Sequence, residues 1–354
     1  MLKQFYNVIG VMSGTSLDGV DLAHIHFTIE DGVWDFKIVE AETVGYSMDW
    51  FNKLKNAVHY SDSELIQLNI DYTVLLAEII NRFIDVNSIE HLDAVCSHGH
   101  TILHQPQNGF TLQIGNLPEI AKRIHQKVVC DFRVQDVQLG GQGAPLVPIG
   151  DQILFSNYDY CLNLGGFSNV SFADDNSRIA FDISPVNTVL NFYANQLELD
   201  YDDKGLIAKA GKLNQSLFDA LNALPFYSKS YPKSLGFEFV TETVLPLIEK
   251  CGISRADKMH TFTVHVAFQI GNALLKNKAR LLITGGGAYN DFLVEEIQKH
   301  LPEMEIIIPN KKILEYKEAL IFALLGVLKL RGEINVLRSV TGAKQDHSSG
   351  VIYG

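Results

Sequence analysis

The stretch GVMSGTSLDGVD, residues 10–21, decides the fold, because it joins two predicted strands through a short turn. Tyr6 to Met12 has the pattern of the first strand, and Asp21 to Thr28 alternates as the second. The turn at Ser13 to Ser16 offers N–H and hydroxyl donors that suit the β- and γ-phosphate oxygens of a nucleotide. The carboxylate of Asp18 could hold water molecules around Mg²⁺. An ordinary hairpin turn is the alternative.

The segments that follow predict a lobe of α/β type. Trp34 to Thr43 reads as a third strand, so that the chain opens with a β-meander. Apolar residues then recur at helical spacing from Ser61, a candidate N-cap, which predicts a helix covering one face of the sheet. Ala94 to Ser97 is a short predicted strand, and Gly140 to Pro148 resembles a link toward a second lobe.

The second half repeats the opening hairpin in outline. Strands, glycine turns and helices alternate there, as in an open α/β sheet. The predicted order is strand Tyr160 to Leu164, turn Gly165-Gly166, strand Ser168 to Phe172, helix Phe262 to Lys276, strand Arg280 to Thr284, turn Gly285 to Gly287 and helix Asp291 to Lys299. Lys317 to Leu330 is apolar nearly all round and too short to span a membrane, which predicts a helix buried against both lobes.

The bulk composition narrows the function classes. With 354 residues, of which 47% are hydrophobic and 20% charged, the chain has the balance of a globular protein of about two domains. A net charge of −12 without a basic patch argues against a nucleic-acid binder. The four cysteines are far apart, and no Cys-x-x-Cys pair indicates a disulfide framework or a zinc ribbon. Met1 to Ile9 does not resemble a signal peptide, and no apolar run is long enough for a membrane span, so we expect a cytoplasmic location.

Two further glycine-rich turns are candidates for nucleotide contacts. In LNLGGFSNV, residues 162–170, Gly165 and Gly166 permit close backbone approach to a phosphate, although a tight hairpin explains them equally well. GGGAYN, residues 285–290, lies after a buried strand and before a helix, where a nucleotide-contacting turn is expected. The chain has neither the Gly-Lys-Ser/Thr ending of a P-loop nor a protein-kinase signature.

Two other segments carry titratable side chains. FDISPVN, residues 181–187, places Asp182 at the end of an apolar stretch and beside a proline turn, where a base would be held in place; the alternative is a simple cap. His98, His100 and His104 form a cluster, in which positions 98 and 100 are expected to share a strand face and could bind a metal. Without an obvious third ligand, hydrogen-bonded pocket histidines are the alternative.

Taken together, these segments resemble the anhydro-N-acetylmuramic acid kinase family, which belongs to the superfamily of actin, hexokinase and heat-shock chaperone ATPases. The likeness extends nearly end to end and includes residues 10–21, Ser97 to Gly99, Asp131 to Arg133, Gly140 to Pro148, Asn163 to Gly166, Tyr201-Asp202 with Gly205, Lys233-Ser234 with Gly236 and Glu238, Gly285 to Asn290, Glu318-Ala319 and Thr341 to Ala343. The resemblance implies two lobes, each with a ribonuclease-H-like mixed sheet, and ATP in the cleft between them. The expected lobes are residues 1–135 with 315–354, and residues 136–314.

The resemblance also implies a role for each candidate residue. Asp182 would be the base that deprotonates a water molecule, and Arg133 and Glu318 would contact the sugar. The ATP phosphates would be bound by Gly14, Thr15, Ser16, Asp18, Gly19, Asp21, Asn163, Gly165 and Gly166, the rest of the nucleotide by Gly285, Gly286, Gly287 and Asn290, and Mg²⁺ by Asp18 through water. The substrate would be 1,6-anhydro-N-acetylmuramic acid, a cell-wall breakdown product, and the product N-acetylmuramic acid 6-phosphate.

The chain departs from the family pattern at four positions. Ser184 and Val186 replace the glycines of Asp-x-Gly-Pro-Gly-Asn, His100 stands where a Gln is usual, and Asn116 where an Asp is usual. Because a β-branched valine resists the conformations that glycine allows, we expect a reshaped loop at residues 182–187. An ordinary sugar kinase and a non-catalytic ATP-binding protein are the alternative functions. The sequence does not determine the oligomeric state, for which a homodimer is one alternative. It also leaves undetermined how strictly the lactyl group of the sugar is required and whether the conformation is open or closed.

Overall fold

The computed structural model describes residues 3–175, 177–276 and 278–354. The residues outside this description are Met1, Leu2, Asn176 and Asn277. Met1 and Leu2 belong to the N-terminal segment, Met1 to Ile9, whose sequence does not resemble a signal peptide. The chain divides into two compact units, Met1–Leu154 with Tyr316–Gly354, and Phe155–Glu315. Each unit is built around its own sheet.

The β-strands occur in both compact units. They are β1 Phe5–Ser13, β2 Val20–Glu30, β3 Val33–Val44, β4 Ala94–Gln105, β5 Phe110–Ile114, β6 Val128–Cys130, β7 Tyr160–Leu164, β8 Phe167–Asp174, β9 Ser177–Pro185, β10 Arg280–Thr284, β11 Glu305–Ile307 and β12 Val351–Tyr353. The predicted opening meander corresponds to β1 to β3 and is confirmed. The predicted strand Ala94 to Ser97 continues to Gln105, since β5 pairs with the additional residues.

The α-helices include several that are short. They are α1 Met48–Asn56, α2 Asp62–Val86, α3 Glu119–Ile124, α4 Val134–Gln138, α5 Pro148–Leu154, α6 Asn187–Asn195, α7 Leu206–Ala210, α8 Gln215–Asn222, α9 Phe237–Phe239, α10 Leu245–Glu249, α11 Arg255–Ala273, α12 Asp291–His300, α13 Lys311–Arg331 and α14 Arg338–Thr341. A π-helical turn, Val240–Val244, connects α9 to α10, and 3₁₀ turns occur at Ala57–His59, Pro106–Asn108, Asp203–Gly205 and Gly286–Tyr289. In the described part of the chain, no helix is long and apolar enough to cross a membrane.

The two sheets repeat one strand order. In the first unit the order is β12-β6-β4-β1-β2-β3, with β5 added beside β4, and in the second it is β11-β10-β7-β8-β9. In each, three strands form an antiparallel meander, and two parallel strands follow on the other side of its first strand. This arrangement is ribonuclease-H-like, and the predicted α/β class with a mixed sheet in each unit is confirmed.

Helices α2 and α13 cover opposite faces of the first sheet. Helix α2 begins with a capping box, in which Ser61 and Glu64 hydrogen-bond reciprocally, and its apolar side packs on Ile9 and Val11. Helix α13 approaches the other face so closely that a Cβ on Gly10 would stand 2.0 Å from the Ala319 carbonyl oxygen. Only glycine fits at position 10, and its absent side chain fixes the depth at which α13 packs.

Residues 136–154, which the sequence assigns to the second lobe, lie in the first unit. Asp136 is fully buried, and its carboxylate accepts a 2.7 Å hydrogen bond from the Thr341 hydroxyl. Asp151 on α5 forms an equally short ion pair, 2.7 Å, with Lys317 on α13, and both side chains are almost fully buried. These buried polar contacts fasten the segment to the C-terminal part of the first unit, although its glycine-rich composition resembles a linker.

The chain returns from the second unit to the first between Glu315 and Tyr316. The sequence predicts this boundary one residue earlier, between residues 314 and 315. Tyr316 has φ −112° and ψ 17°, so the regular helical geometry of α13 is interrupted at this residue. From Ala319 to Leu325 every residue of α13 is buried. The predicted helix Lys317 to Leu330 is thereby confirmed as a buried element.

Candidate active site

The turn after β1 presents polar groups to solvent. Thr15, Ser16 and Asp18 are exposed, and the Leu17 N–H donates to the Gly14 carbonyl oxygen at 3.3 Å. The Ser16 hydroxyl donates to Asp18 Oδ1 at 2.7 Å, which orients the carboxylate at the mouth of the turn. An exposed, oriented carboxylate beside hydroxyl and N–H donors has the chemistry that a hydrated Mg²⁺–phosphate group requires.

The two remaining residues of the predicted phosphate motif are Gly19, directly before β2, and Asp21, the second residue of β2. A Cβ on Gly19 would stand 2.5 Å from the Val44 carbonyl oxygen, so glycine is required there by the neighbouring strand. Asp21 Oδ1 accepts a 2.6 Å hydrogen bond from the Thr43 hydroxyl across the β2–β3 pair. Both residues therefore hold the turn on the sheet, and a direct phosphate contact stays a prediction.

A buried network of hydroxyl groups, which the sequence did not predict, lies directly before this turn. Ser13 Oγ is 2.8 Å from His100 Nδ1 and 2.7 Å from the Tyr46 hydroxyl, which is itself 2.6 Å from the Tyr72 hydroxyl. Burial lowers the pKa of His100 to about 4, so the ring is neutral at physiological pH. The position of Ser13 in the glycine-serine motif was the one sequence feature that pointed to this network. Its partners could not be predicted, because they come from distant segments of the chain.

Arg133 and Glu318 are neighbours in the first unit. Burial lowers the pKa of Arg133 to about 10 while Glu318 raises it, so the guanidinium stays charged at neutral pH. Glu318 keeps part of its surface exposed, but the surrounding protein desolvates its carboxyl group. This desolvation raises the pKa of Glu318, and Arg133 opposes the shift. The pair thus offers a charged donor and a carboxylate acceptor, the combination expected for a polar sugar.

His98 and His100 do not share a strand face, contrary to the prediction. Gly99 between them has φ +74°, and the pairing of β1 with β4 shifts register at this point. His98 therefore packs on Phe322 of α13, whereas His100 packs on Tyr72 of α2. Among the described residues, no group of three or more His, Cys, Asp or Glu side chains is arranged to hold a metal ion.

His104 has partners of its own. Its Nδ1 is 3.0 Å from the Thr111 hydroxyl on the neighbouring strand β5. His98 Nδ1 lies 2.9 Å from the Gly99 carbonyl oxygen, and His100 pairs with Ser13 as described above. Each of the three histidines therefore has a different hydrogen-bond partner, which fits the alternative of pocket histidines.

The second unit brings two of the predicted glycine turns together. Strands β7 and β10 are parallel neighbours, with Asn163 opposite Thr284, so the turns that follow them lie side by side. Gly285 has φ +84°, and a Cβ there would stand 2.5 Å from Asn163 Oδ1. Gly165 and Gly166 accept backbone hydrogen bonds from residues 186–188 through their carbonyl groups. These glycines leave backbone accessible where side chains would otherwise stand.

Asn290 has a structural partner in addition to its predicted nucleotide contact. Its Oδ1 accepts a 2.9 Å hydrogen bond from the Leu293 N–H and caps the first turn of α12. The residue is mostly buried, with 8% of its surface exposed. The cap uses one of the two lone pairs of the side-chain oxygen, and a ligand contact could also be made by the side-chain nitrogen.

Asp182 lies on β9 and is half-buried. Its Oδ2 accepts a 2.8 Å hydrogen bond from the Leu235 N–H, and its own N–H donates to the Lys233 carbonyl oxygen at 3.1 Å. Burial raises the pKa of this carboxyl, and the Leu235 N–H partly offsets the effect. A carboxylate with one oxygen held by backbone and a raised pKa has the properties of a general base.

Neither of the two residues that replace glycine has a positive φ. Val186 has φ −134° and ψ −94°, and Ser184 is not among the described residues with positive φ. Ser184 is fully buried and its Oγ is 3.1 Å from Ser168 Oγ, while the Val186 N–H donates to the Gly166 carbonyl oxygen at 2.8 Å. Both side chains are buried, and the unusual ψ of Val186 shows that the backbone departs from regular geometry at this position, as expected of a reshaped loop.

The repeated sheets, the glycine-rich turns after the first strand of each and a positioned carboxylate are features expected of a phosphoryl-transfer enzyme. The profile of the family described as "Anhydro-N-acetylmuramic acid kinase" matches residues 6–354. The chain belongs to this family, and it is accordingly a sugar kinase, a class that uses ATP.

Curated relatives carry the same description over their full length. The anhydro-N-acetylmuramic acid kinase of Mannheimia succiniciproducens is 36% identical over 382 residues, with 100% of both chains covered. That of Haemophilus influenzae is 32% identical over 383 residues, covering 100% of this chain and 98% of the relative. Among solved structures, an activator of 2-hydroxyisocaproyl-CoA dehydratase from Clostridium difficile is similar with a TM-score of 0.43 and 14% identity over 92% of this chain and 96% of its own, too low to inform on function.

Proposed function

We propose that this chain is an ATP-dependent kinase that hydrolytically opens 1,6-anhydro-N-acetylmuramic acid and phosphorylates its O6. The products would be N-acetylmuramic acid 6-phosphate and ADP, a step of cell-wall recycling. The observation that carries the substrate assignment is the family match from residue 6 to residue 354. The altered 182–187 loop is the argument for a non-catalytic protein, and against it stands the backbone hydrogen bond from the Leu235 N–H that holds the Asp182 carboxylate in place.

The chemistry follows from the structure of the sugar. Its O6 is bridged to C1 and carries no proton, so phosphorylation requires the bridge to open. Water adds at C1, the C1–O6 bond breaks, and O6 attacks the γ-phosphorus as ADP leaves. Asp182 takes the proton from the water, and its raised pKa suits this role because a base works best near the operating pH.

The remaining residues bind and orient the substrates. The turn from Gly14 to Asp18 donates to phosphate oxygens, and in the second unit Asn163, Gly165, Gly166 and the turn from Gly285 to Asn290 contact the nucleotide. Mg²⁺, held by Asp18 through water, would neutralise charge on the phosphates. Phosphoryl transfer depends chiefly on such positioning and electrostatic stabilisation.

On the sugar side, Arg133 and Glu318 bind the acceptor. Their opposite charges and mutual proximity support this assignment, since the sugar offers both a carboxylate and hydroxyl groups. The partner is therefore a small amino sugar. We place the reaction in the cytoplasm, where ATP is available; the four cysteines are free thiols, as expected for a reducing compartment.

One experiment separates the proposal from an ordinary sugar kinase. The protein is incubated with ATP, Mg²⁺ and either anhydro- or free N-acetylmuramic acid in oxygen-18 water, and the mass of the product is measured by mass spectrometry. Ring opening places one oxygen-18 at C1 of the product from the anhydro-sugar, and a control of unlabelled product in labelled water corrects for exchange. A higher kcat/KM on the free sugar, or product without label, would contradict the ring-opening reaction.

A further inference from the structure

We propose that His98 is a positioning residue that fixes Arg133 in the orientation needed to bind the carboxylate of the sugar. The inference rests on the proposed function, in which Arg133 contacts the sugar. Both ring nitrogens of His98 have hydrogen-bond partners in the first unit, so its burial is explained without a bound metal ion.

The contacts of Arg133 determine which side of its guanidinium faces a ligand. Its Nε donates to His98 Nε2 at 2.8 Å, and its Nη1 donates to the Gly143 carbonyl oxygen. Among the described residues, these are the protein hydrogen bonds of this side chain. They leave both hydrogens of Nη2 and one of Nη1, which form the outer fork of the guanidinium. Such a fork matches a carboxylate in a bidentate arrangement.

The protonation state of His98 makes it an acceptor. Its Nδ1 lies 2.9 Å from the Gly99 carbonyl oxygen, which accepts a hydrogen bond only if Nδ1 carries the proton. Nε2 then has a free lone pair that faces the Arg133 Nε–H. Burial and the nearby guanidinium lower the pKa of His98 well below its usual range, so the ring stays neutral and this polarity is maintained.

Phe322 supports both side chains from helix α13. Its ring centroid is 4.6 Å from that of His98, and the Arg133 guanidinium carbon is 6.0 Å from the same centroid. Glu318, the other proposed sugar contact, lies one helical turn before Phe322. The imidazole therefore couples the arginine to the helix that carries the acidic partner.

Two substitutions separate the acceptor function of His98 from its bulk. In His98→Gln, the side-chain oxygen reaches the position of Nε2 and can accept from Arg133; in His98→Asn, the amide reproduces the Nδ1–H donor alone. We expect His98→Asn to lower kcat/KM for the anhydro-sugar about 10–100-fold, as for losing a hydrogen bond to a charged group, with the KM for ATP unchanged. His98→Gln should stay close to the wild type.

The matched control is His260→Asn in the second unit, where His260 Nδ1 likewise lies 2.9 Å from a backbone carbonyl, that of Ala208. Arg133→Lys keeps the charge and removes the Nε donor, so a further His98→Asn change should cost little in that background. Equal losses in His98→Gln and His98→Asn, equal losses for ATP and sugar, or an undiminished effect beside Arg133→Lys would each overturn the proposal.

A measurement on the native chain without sugar keeps the test independent of turnover. Nitrogen-15 spectra of labelled histidine should show His98 protonated at Nδ1 and unprotonated at Nε2. The opposite tautomer, or a charged ring, would overturn the positioning role even if the kinase activity is as proposed. If instead the wild type does not phosphorylate the anhydro-sugar while this tautomer is present, the proposed function is wrong, but the hydrogen bond by which His98 orients Arg133 is supported.

Discussion

Replacing Asp182 by Asn tests the proposed base most directly. The amide has the shape of the carboxylate, and its oxygen can still accept from the Leu235 N–H, now 2.8 Å from Oδ2. In that orientation the nitrogen occupies the position of Oδ1, where it donates a hydrogen bond and cannot remove a proton. We expect kcat on the anhydro-sugar to fall about 10²–10⁴-fold, the usual contribution of general-base catalysis.

The fold should tolerate this change. Because burial raises the pKa of Asp182 above its usual 3.8, the ionised carboxyl is less stable in the folded protein than in the unfolded chain. Its contribution to stability is present at low pH and declines as the pH rises through the folded pKa, so a neutral amide at pH 7 should leave the melting temperature unchanged or slightly higher. ATP affinity, measured by calorimetry, should also be unchanged.

The assay is ADP release with anhydro-N-acetylmuramic acid as acceptor, followed as a function of pH. For the wild type, kcat/KM should fall as the pH drops through the raised pKa of Asp182, an acidic limb that the variant lacks. Asp219→Asn, an exposed carboxylate that accepts from Gln215 on α8, is the matched control and should behave as the wild type. A kcat within about 10-fold of the wild type in Asp182→Asn would refute the assignment of the base.

Three other perturbations test neighbouring parts of the structure. Asp18→Asn should raise the Mg²⁺ concentration needed for half-maximal rate while Asp49→Asn, an exposed control, does not; equal Mg²⁺ dependence would contradict the metal assignment. In a variant with glycine at both Ser184 and Val186, the anhydro-sugar should stay the preferred substrate, and kcat/KM should change by far less than the ~10²-fold effect of a misplaced reacting group. The free energy of unfolding, measured in urea, should fall by about 2–4 kcal/mol because Val186 is fully buried. Gly10→Ala should cost about 1–3 kcal/mol through its clash with Ala319, and unchanged unfolding would contradict the packing of α13.

The local patterns predicted most of the framework. Alternation and turn residues defined β1, β2 and β7, and the N-cap at Ser61 defined the start of α2, because these features depend on residues close together in the chain. The glycine turns after β7 and β10 were also predicted, since their position follows from the strand preceding each. That they are adjacent follows from the parallel pairing of two distant strands.

What the sequence did not predict depends on tertiary contacts. The segment 136–154 looks like a linker by composition, and only the burial of Asp136 against Thr341 shows that it belongs to the first unit. The separation of His98 from His100 requires the positive φ of Gly99, which breaks the strand alternation assumed from spacing. The acceptor role of His98 toward Arg133 likewise joins residues far apart in sequence.

The glycine contacts of α13 have a consequence for how this enzyme can change its substrate. The backbone of Gly10 lies against the backbone of Ala319, and a Cβ on Gly326 would lie 2.1 Å from the Cys96 sulfur, so the helix packs closely on the sheet at two points. These two close contacts fix the position of the helix on the sheet, and with it the spacing between the turn after β1 and Glu318. New acceptor specificity in this lineage should arise by exchanging side chains at fixed positions, and sequence libraries that vary positions 10 and 326 should return glycine.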